Sequence, residues 1–251
     1  MSHVVLRWRF TPVALMLAAA LTSASAFSAV PPTPSKAAAL KTLRLQKAAP
    51  LTPSAAALVH WVQSSRDNAG APFAVIDKRQ ARLWLFDASG KRIGSTAVLL
   101  GLAHGDLSVP GIGEREMSKI LPQERTTPAG RFVTEVGRNS NGEDIFWVDY
   151  DAAVSMHRVR ATNPAERRIQ RLATPTPADN RISYGCINVP AAFYGKRIQP
   201  LFAREKGIVY LLPETLPMAQ FFGAASALAQ AEAKPNAKAD PRQGKGPLRK
   251  V

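Results

Sequence analysis

From Phe73 the apolar residues recur with a period of two, and this stretch limits the possible folds more than any other. Phe73, Val75 and Asp77 alternate with Ala74 and Ile76, and Leu83, Leu85 and Asp87 alternate with Trp84 and Phe86. Asp87-Ala88-Ser89-Gly90 supplies a turn, and residues 91–100 return as a further strand. A meander of this kind, followed by more strands and a few helices, predicts an α+β or mainly β domain.

Around that meander the chain divides by composition. Arg7 and Arg9 precede an apolar run from Phe10 to Leu21, and Ala24-Ser25-Ala26 offers the small residues a signal peptidase reads. A leader over 1–26, cleaved after Ala26, is the expectation, because the run is shorter than a membrane span. No cysteine stands at the end of the run, so a lipoprotein anchor is not expected. Residues 27–71 read as a Pro- and Ala-rich linker ending in a short helix, with Thr52 as cap and Pro53 in the first turn. That helix runs over 55–65 and stops at 68–70. The domain proper is expected over 72–214, and 215–251 reads as a basic, disordered tail.

Inside the domain, residues 101–131 lose all periodicity and are punctuated by Gly105, Pro110, Gly111, Gly113, Pro122, Pro128 and Gly130. A loop of that length predicts a lid or binding loop. Residues 132–136 and 145–156 read as strands that bring His157 to a sheet edge. Asn163-Pro164-Ala165-Glu166 carries the signals of a helix start, and the helix bears Arg167, Arg168 and Arg171. These arginines form either a solvated basic face or a wall of cations for substrate carboxylates. Residues 190–204 read as a helix whose N-terminal end favours a thiolate at Cys186, and 207–212 as the closing strand.

Cys186 is the only cysteine in 251 residues, set in Ser183-Tyr184-Gly185-Cys186-Ile187-Asn188. In an exported protein a lone thiol is buried, paired with another molecule, or reactive. Its turn-forming neighbours favour reactivity, and a reactive thiol needs a base. Of His3, His60, His104 and His157, the first lies in the leader and the second on the expected helix beside Trp61. His104 sits in the long loop, where it is either solvated or in touch with a substrate. His157, after the apolar run, is the best-placed partner for the thiol.

Met156-His157 followed by Ser183-Tyr184-Gly185-Cys186-Ile187-Asn188 resembles the catalytic signature of the L,D-transpeptidase (YkuD-type) family. Phe73-Ala74-Val75-Ile76-Asp77, Thr127-Pro128-Ala129-Gly130-Arg131-Phe132 and Gly207-Ile208-Val209-Tyr210-Leu211-Leu212 resemble other family segments in the same order. The resemblance implies an α+β, mainly β domain with a mixed sheet and a few flanking helices. It implies Cys186 as nucleophile and His157 as base, with the carbonyl after His157 orienting the imidazole. Gly185, Ser183 and Asn188 then form the turn and its oxyanion donors, and Tyr184, Arg158 and His104 line the site. Tyr184 stands where the family usually has a second histidine, and the stretch between His157 and Ser183 is longer than usual.

The implied substrate is the peptidoglycan stem peptide, with a thioester acyl-enzyme and no cofactor. Rival readings are an L,D-carboxypeptidase on the same scaffold and a peptidoglycan-binding protein without turnover. A formal charge of +15 calls for an anionic partner, and the tail suits a cell-wall or membrane surface in the periplasm or envelope. Nucleic acid is not expected, given the leader and the lack of interleaved aromatic and basic strands. No cysteine or histidine spacing suggests a metal site, and no Gly-rich loop precedes a helix to hold a phosphate.

Overall fold

The computed structural model of the protein describes residues 49–224, so the expected leader (1–26), residues 27–48 of the expected linker and the tail from 225 lie outside the described residues. Helix α1 (Pro53–Ser65) begins as the sequence predicts: Thr52 Oγ1 accepts the Ala55 N–H at 3.2 Å, and Pro53 takes the first turn. It ends at Ser65, as expected, with Arg66 as the cap in the left-handed region at φ 57°.

Eleven strands follow among the described residues, with the bounds β1 (Phe73–Asp77), β2 (Arg82–Phe86), β3 (Arg92–Ala97), β4 (Leu100–Gly101), β5 (Gly130–Val133), β6 (Glu135–Arg138), β7 (Asp144–Asp149), β8 (Val154–Arg158), β9 (Arg181–Ser183), β10 (Ile187–Val189) and β11 (Ile208–Leu212). One sheet has the order β3-β2-β1-β11-β5, with β11 parallel to β1 and the other neighbours antiparallel. A second has the order β10-β8-β7-β6, with only β10 and β8 parallel. The short parallel pair β4 and β9 joins Leu100 to Arg181 and Gly101 to Ser183. The fold is thus α+β with mixed sheets, and β11 lies inside its sheet instead of closing an edge.

Because β1 and β11 are buried on both faces, their alternation sorts residues between two cores. Ala74, Ile76, Val209 and Leu211 meet Phe146, Val148, Met156 and Ile187 of the second sheet, with Tyr194, Ile198 and Phe202 closing the layer. Phe73, Val75, Trp84 and Tyr210 meet Ala55, Leu58, Val59 and Val62 of α1. Phe73 stacks on Phe86 at 4.6 Å between ring centroids and meets Tyr210 edge-on at 5.9 Å. Burying each such side chain is worth about 1.5–3 kcal/mol. Helix α1 therefore belongs to the core, and so does buried Phe222 after the short helix Met218–Phe221. The packed unit extends beyond 72–214 on both sides.

Three local expectations change. The run 145–156 is two strands, broken by a turn in which Ala153 has φ 52°, so His157 falls within β8 and on an inner strand rather than at a sheet edge. Asn163 does cap a turn, with its Oδ1 accepting the Ala165 N–H at 3.1 Å, but that turn is a 3-10 segment (Pro164–Glu166). Left-handed Arg167 separates it from α2 (Arg168–Ala173), because Glu166 turns to Arg168 instead of back to the cap. The last expected helix is Ala191–Phe193, a π turn (Tyr194–Ile198) and Gln199–Phe202 in succession, together α3.

The stretch after β4 is held in place. Lys78, fully buried, reaches Asp106 at 2.7 Å and the carbonyls of Gly105 and Thr127 at 2.5 and 2.8 Å. Asp106 also accepts the backbone N–H groups of Glu214, Thr215 and Leu216, and Glu214 pairs with Arg181 at 2.5 Å. Burial pulls the Lys78 pKa down, partly offset by Asp106. It pushes the Asp106 carboxyl up, but Lys78 and the donors from 214–216 outweigh it and hold the group below the usual carboxylate range. The expected lid is instead a loop pinned by buried charge, with three 3-10 turns of its own.

Candidate active site

Strands β8 and β10 run side by side with Asn188 opposite His157 and Ile187 opposite Met156. This register brings the chain back so that the turn before β10 places Cys186 against the His157 ring. The Nδ1 of His157 lies 2.7 Å from the carbonyl of Arg158. A carbonyl only accepts, so Nδ1 carries the hydrogen and Nε2 is left to face the thiol. The two side chains hydrogen-bond each other.

Burial disfavours charge on both partners, lowering the imidazole pKa and raising the thiol's. Their mutual attraction outweighs it: His157 is shifted above its ordinary value and Cys186 below. Ser155 assists, with its Oγ 3.6 Å from Sγ and its backbone N–H also bonded to the sulfur. The thiol hydrogen has a further acceptor in the Ala153 carbonyl at 3.7 Å. The arrangement makes the thiolate of Cys186 easier to form, and the thiolate is the form in which cysteine attacks carbonyls.

The turn itself is braced from within and from two distant segments. Ser183 Oγ donates to the Cys186 carbonyl at 2.7 Å and accepts the Gly185 N–H at 3.1 Å. Asn188 Nδ2 donates to the same carbonyl at 3.2 Å, while its Oδ1 accepts from Arg168 Nη1 at 2.8 Å. Gly185 has φ +138°, and a Cβ there would stand 2.9 Å from the Thr126 carbonyl, so only glycine fits. Thr127 Oγ1 donates to the Gly185 carbonyl at 2.7 Å and accepts the Gly101 N–H at 2.8 Å. Since the Gly185 N–H is occupied by Ser183, it is not free to act as an oxyanion donor.

The other expected site residues fall elsewhere. Arg158, next to His157 on a strand, points to the opposite side, where it pairs with Asp144 at 2.6 Å and lies over the Tyr194 ring at 4.5 Å. Only its carbonyl serves the site. His104 pairs with Glu214 at 2.9 Å, at the Arg181 end of β9, with its ring 68% exposed. Tyr184 is half-buried and carries the Arg125 guanidinium over its ring. The start of α3 is separated from Cys186 by all of β10, which at about 3.3 Å per residue takes the helix end away from the sulfur. The thiol owes its shift to His157 and Ser155 instead.

Arg168 and Arg171 are not open cations either. Arg168 is held by Glu166 and Asn188, and Arg171 by the carbonyls of Glu166 and Asp179. Ser155, Thr127 and Arg125 are residues that the sequence did not assign to the site, whereas Arg168, one of the expected wall cations, bonds Asn188 of the cysteine turn instead. Of those three only Thr127 had a signal, as the first residue of the Thr127–Phe132 segment, and that signal carried no role. Among the described residues no group of three or more His, Cys, Asp or Glu is placed to hold a metal ion, and no helix is long and apolar enough to cross a membrane.

Comparison with protein-family models found no match, and comparison with curated proteins found none. Comparison with solved structures found L,D-transpeptidases and a cell shape determining protein. One is an L,D-transpeptidase (Yku) from Stackebrandtia nassauensis, 17% identical over 56% of this chain and 55% of that one, with TM-score 0.33. Another is the catalytic domain of an E. faecium L,D-transpeptidase, 19% identical over 57% of this chain and 97% of that one, with TM-score 0.32. A third is the helical cell shape determining protein of Campylobacter jejuni, 19% identical over 64% of this chain and 54% of that one, with TM-score 0.37. The chain thus spans about half the length of the first and third. With TM-scores this low the likenesses carry no weight for function, and the functional reading rests on the geometry around Cys186.

Proposed function

We propose that the protein is a cysteine-dependent L,D-transpeptidase that acts on peptidoglycan stem peptides. The observation that supports this most is the fixed tautomer of His157, whose Nδ1 bond to the Arg158 carbonyl leaves Nε2 as the base for Cys186. In this mechanism Nε2 takes the thiol proton and the thiolate attacks the amide carbonyl after the diamino residue of a stem tetrapeptide. The Cys186 N–H serves as oxyanion donor, in place of the engaged Gly185 N–H. The imidazolium gives its proton to the departing amine of D-Ala, leaving a thioester. His157 then takes a proton from the side-chain amine of a neighbouring stem as that amine attacks the thioester and releases Cys186. The leader exports the chain to the envelope in this reading, and the basic tail holds it near anionic wall or membrane.

Intact mass of the protein and of Cys186→Ala after incubation with a carbapenem tests the reading. A stoichiometric adduct on the unaltered protein alone is expected. No adduct on either would sink it.

A further inference from the structure

Tyr184 lies two residues before the nucleophile in the same turn, and neither it nor Arg125 takes part in the mechanism above. The Arg125 guanidinium lies over the Tyr184 ring, 3.9 Å from its centroid. Its Nε and Nη2 both donate to the Ile120 carbonyl, at 3.3 and 3.1 Å. This pins one edge of the planar group and leaves Nη1 without a protein acceptor among the described residues. The other arginines around the turn are neutralised: Arg158 by Asp144, Arg168 by Glu166 and Arg181 by Glu214. Arg125 has no carboxylate within ion-pair distance among the described residues and remains half-exposed.

The backbone on either side is fixed to the same turn. The Arg125 carbonyl accepts the Ala103 N–H at 3.0 Å, and the next two residues pack on or bond to Gly185. A cation so placed is pre-organised: stacking on a neutral ring orients the fork without consuming its charge. A protonatable ring at position 184 would repel it. An unpaired, half-exposed guanidinium stacked on the cysteine turn suits a carboxylate, which it recognises by charge-assisted hydrogen bonds.

We propose that Arg125, stacked on Tyr184, is a binding cation for a carboxylate of the peptide presented to Cys186. This rests on the peptide-directed reading above and names the group by which the peptide is held. Tyr184 is the positioning residue, acting through Arg125.

The test is calorimetric binding to the full chain carrying Cys186→Ala. The probes are a stem tetrapeptide as free acid and the same peptide with its carboxyls amidated. The acid is expected to bind about tenfold more tightly than the amide, and Arg125→Gln to remove that preference. Arg125→Lys should restore part of it, Tyr184→Phe should keep it, and Tyr184→Leu should lose it. Equal binding of acid and amide, no binding of either, or a preference that survives Arg125→Gln overturns the proposal. Unchanged urea-unfolding midpoints in the variants mark an intact fold, so misfolding is not mistaken for a lost cation. Alkylation of the Cys186-containing protein by neutral iodoacetamide is read in parallel. A thiol inert at every pH, together with an intact acid preference, strikes the acyl-transfer reading and leaves the Arg125 assignment standing.

Discussion

Thr127→Val isolates the bond by which the long loop holds the cysteine turn. The Thr127 hydroxyl is fully buried and uses its one hydrogen on the Gly185 carbonyl and a lone pair on the Gly101 N–H. Valine has the same shape, so no cavity opens, but two buried backbone groups lose their partner. Leaving such a group unsatisfied costs about 1–3 kcal/mol, so the pair amounts to about 2–6 kcal/mol. Gly101 cannot move to compensate, since it already lies so close to Arg125 that a Cβ would meet its carbonyl at 2.3 Å. Thr127→Ser is the control: it keeps the oxygen and loses a methyl group, for about 1 kcal/mol. Urea unfolding followed by tryptophan fluorescence reads both, with the midpoint shifting and the slope unchanged. The rate of Cys186 alkylation should fall in the valine variant alone, as the Gly185 carbonyl is released. A valine variant no less stable than the serine variant would refute the bracing role.

His157→Gln should move the midpoint of the pH profile for Cys186 alkylation upward, past the ordinary thiol value of about 8.5, because burial then acts without the opposing imidazolium; a profile unmoved by the change would contradict the pairing. Lys78→Met leaves Asp106 buried without its cation and should cost about 3–5 kcal/mol in urea unfolding, and a loss under 1 kcal/mol would mean the clamp is not electrostatic. In the unaltered protein Asp106 and Glu214 are held below their ordinary pKa values, by Lys78 and Arg181 respectively and against the opposing effect of burial. Their contribution is therefore present above the unfolded values near about 4 and is lost as pH falls through the depressed folded ones. The acid-unfolding midpoint should accordingly rise in Lys78→Met. Gly185→Ala should lower stability by about 1–3 kcal/mol and abolish carbapenem adducts, since the added methyl meets the Thr126 carbonyl in a conformation alanine avoids; an adduct at the unaltered rate would contradict this.

What the sequence determined by itself was local. The alternation from Phe73, the Thr52-Pro53 helix start, the Asn163 cap and the turn residues around Cys186 depend on neighbours one to four positions away, and each appears in the structure. The pairing of His157 with Cys186 was legible because few residue types bear that chemistry and this chain offers few of each. Tertiary structure decided the rest. Whether one or both faces of β1 are buried depends on α1 and on a second sheet remote in the chain, so alternation alone could not give the two cores. The register of β8 with β10 took His157 off the sheet edge and aimed Arg158 at Asp144, and β10 put the helix start out of reach of the thiol. The hydroxyl of Thr127, the Arg168 bond to Asn188 and the stacking of Arg125 on Tyr184 join residues that share no periodicity and are far apart in the chain. Such contacts follow from side-chain geometry at the meeting of separate elements, and no local pattern encodes that.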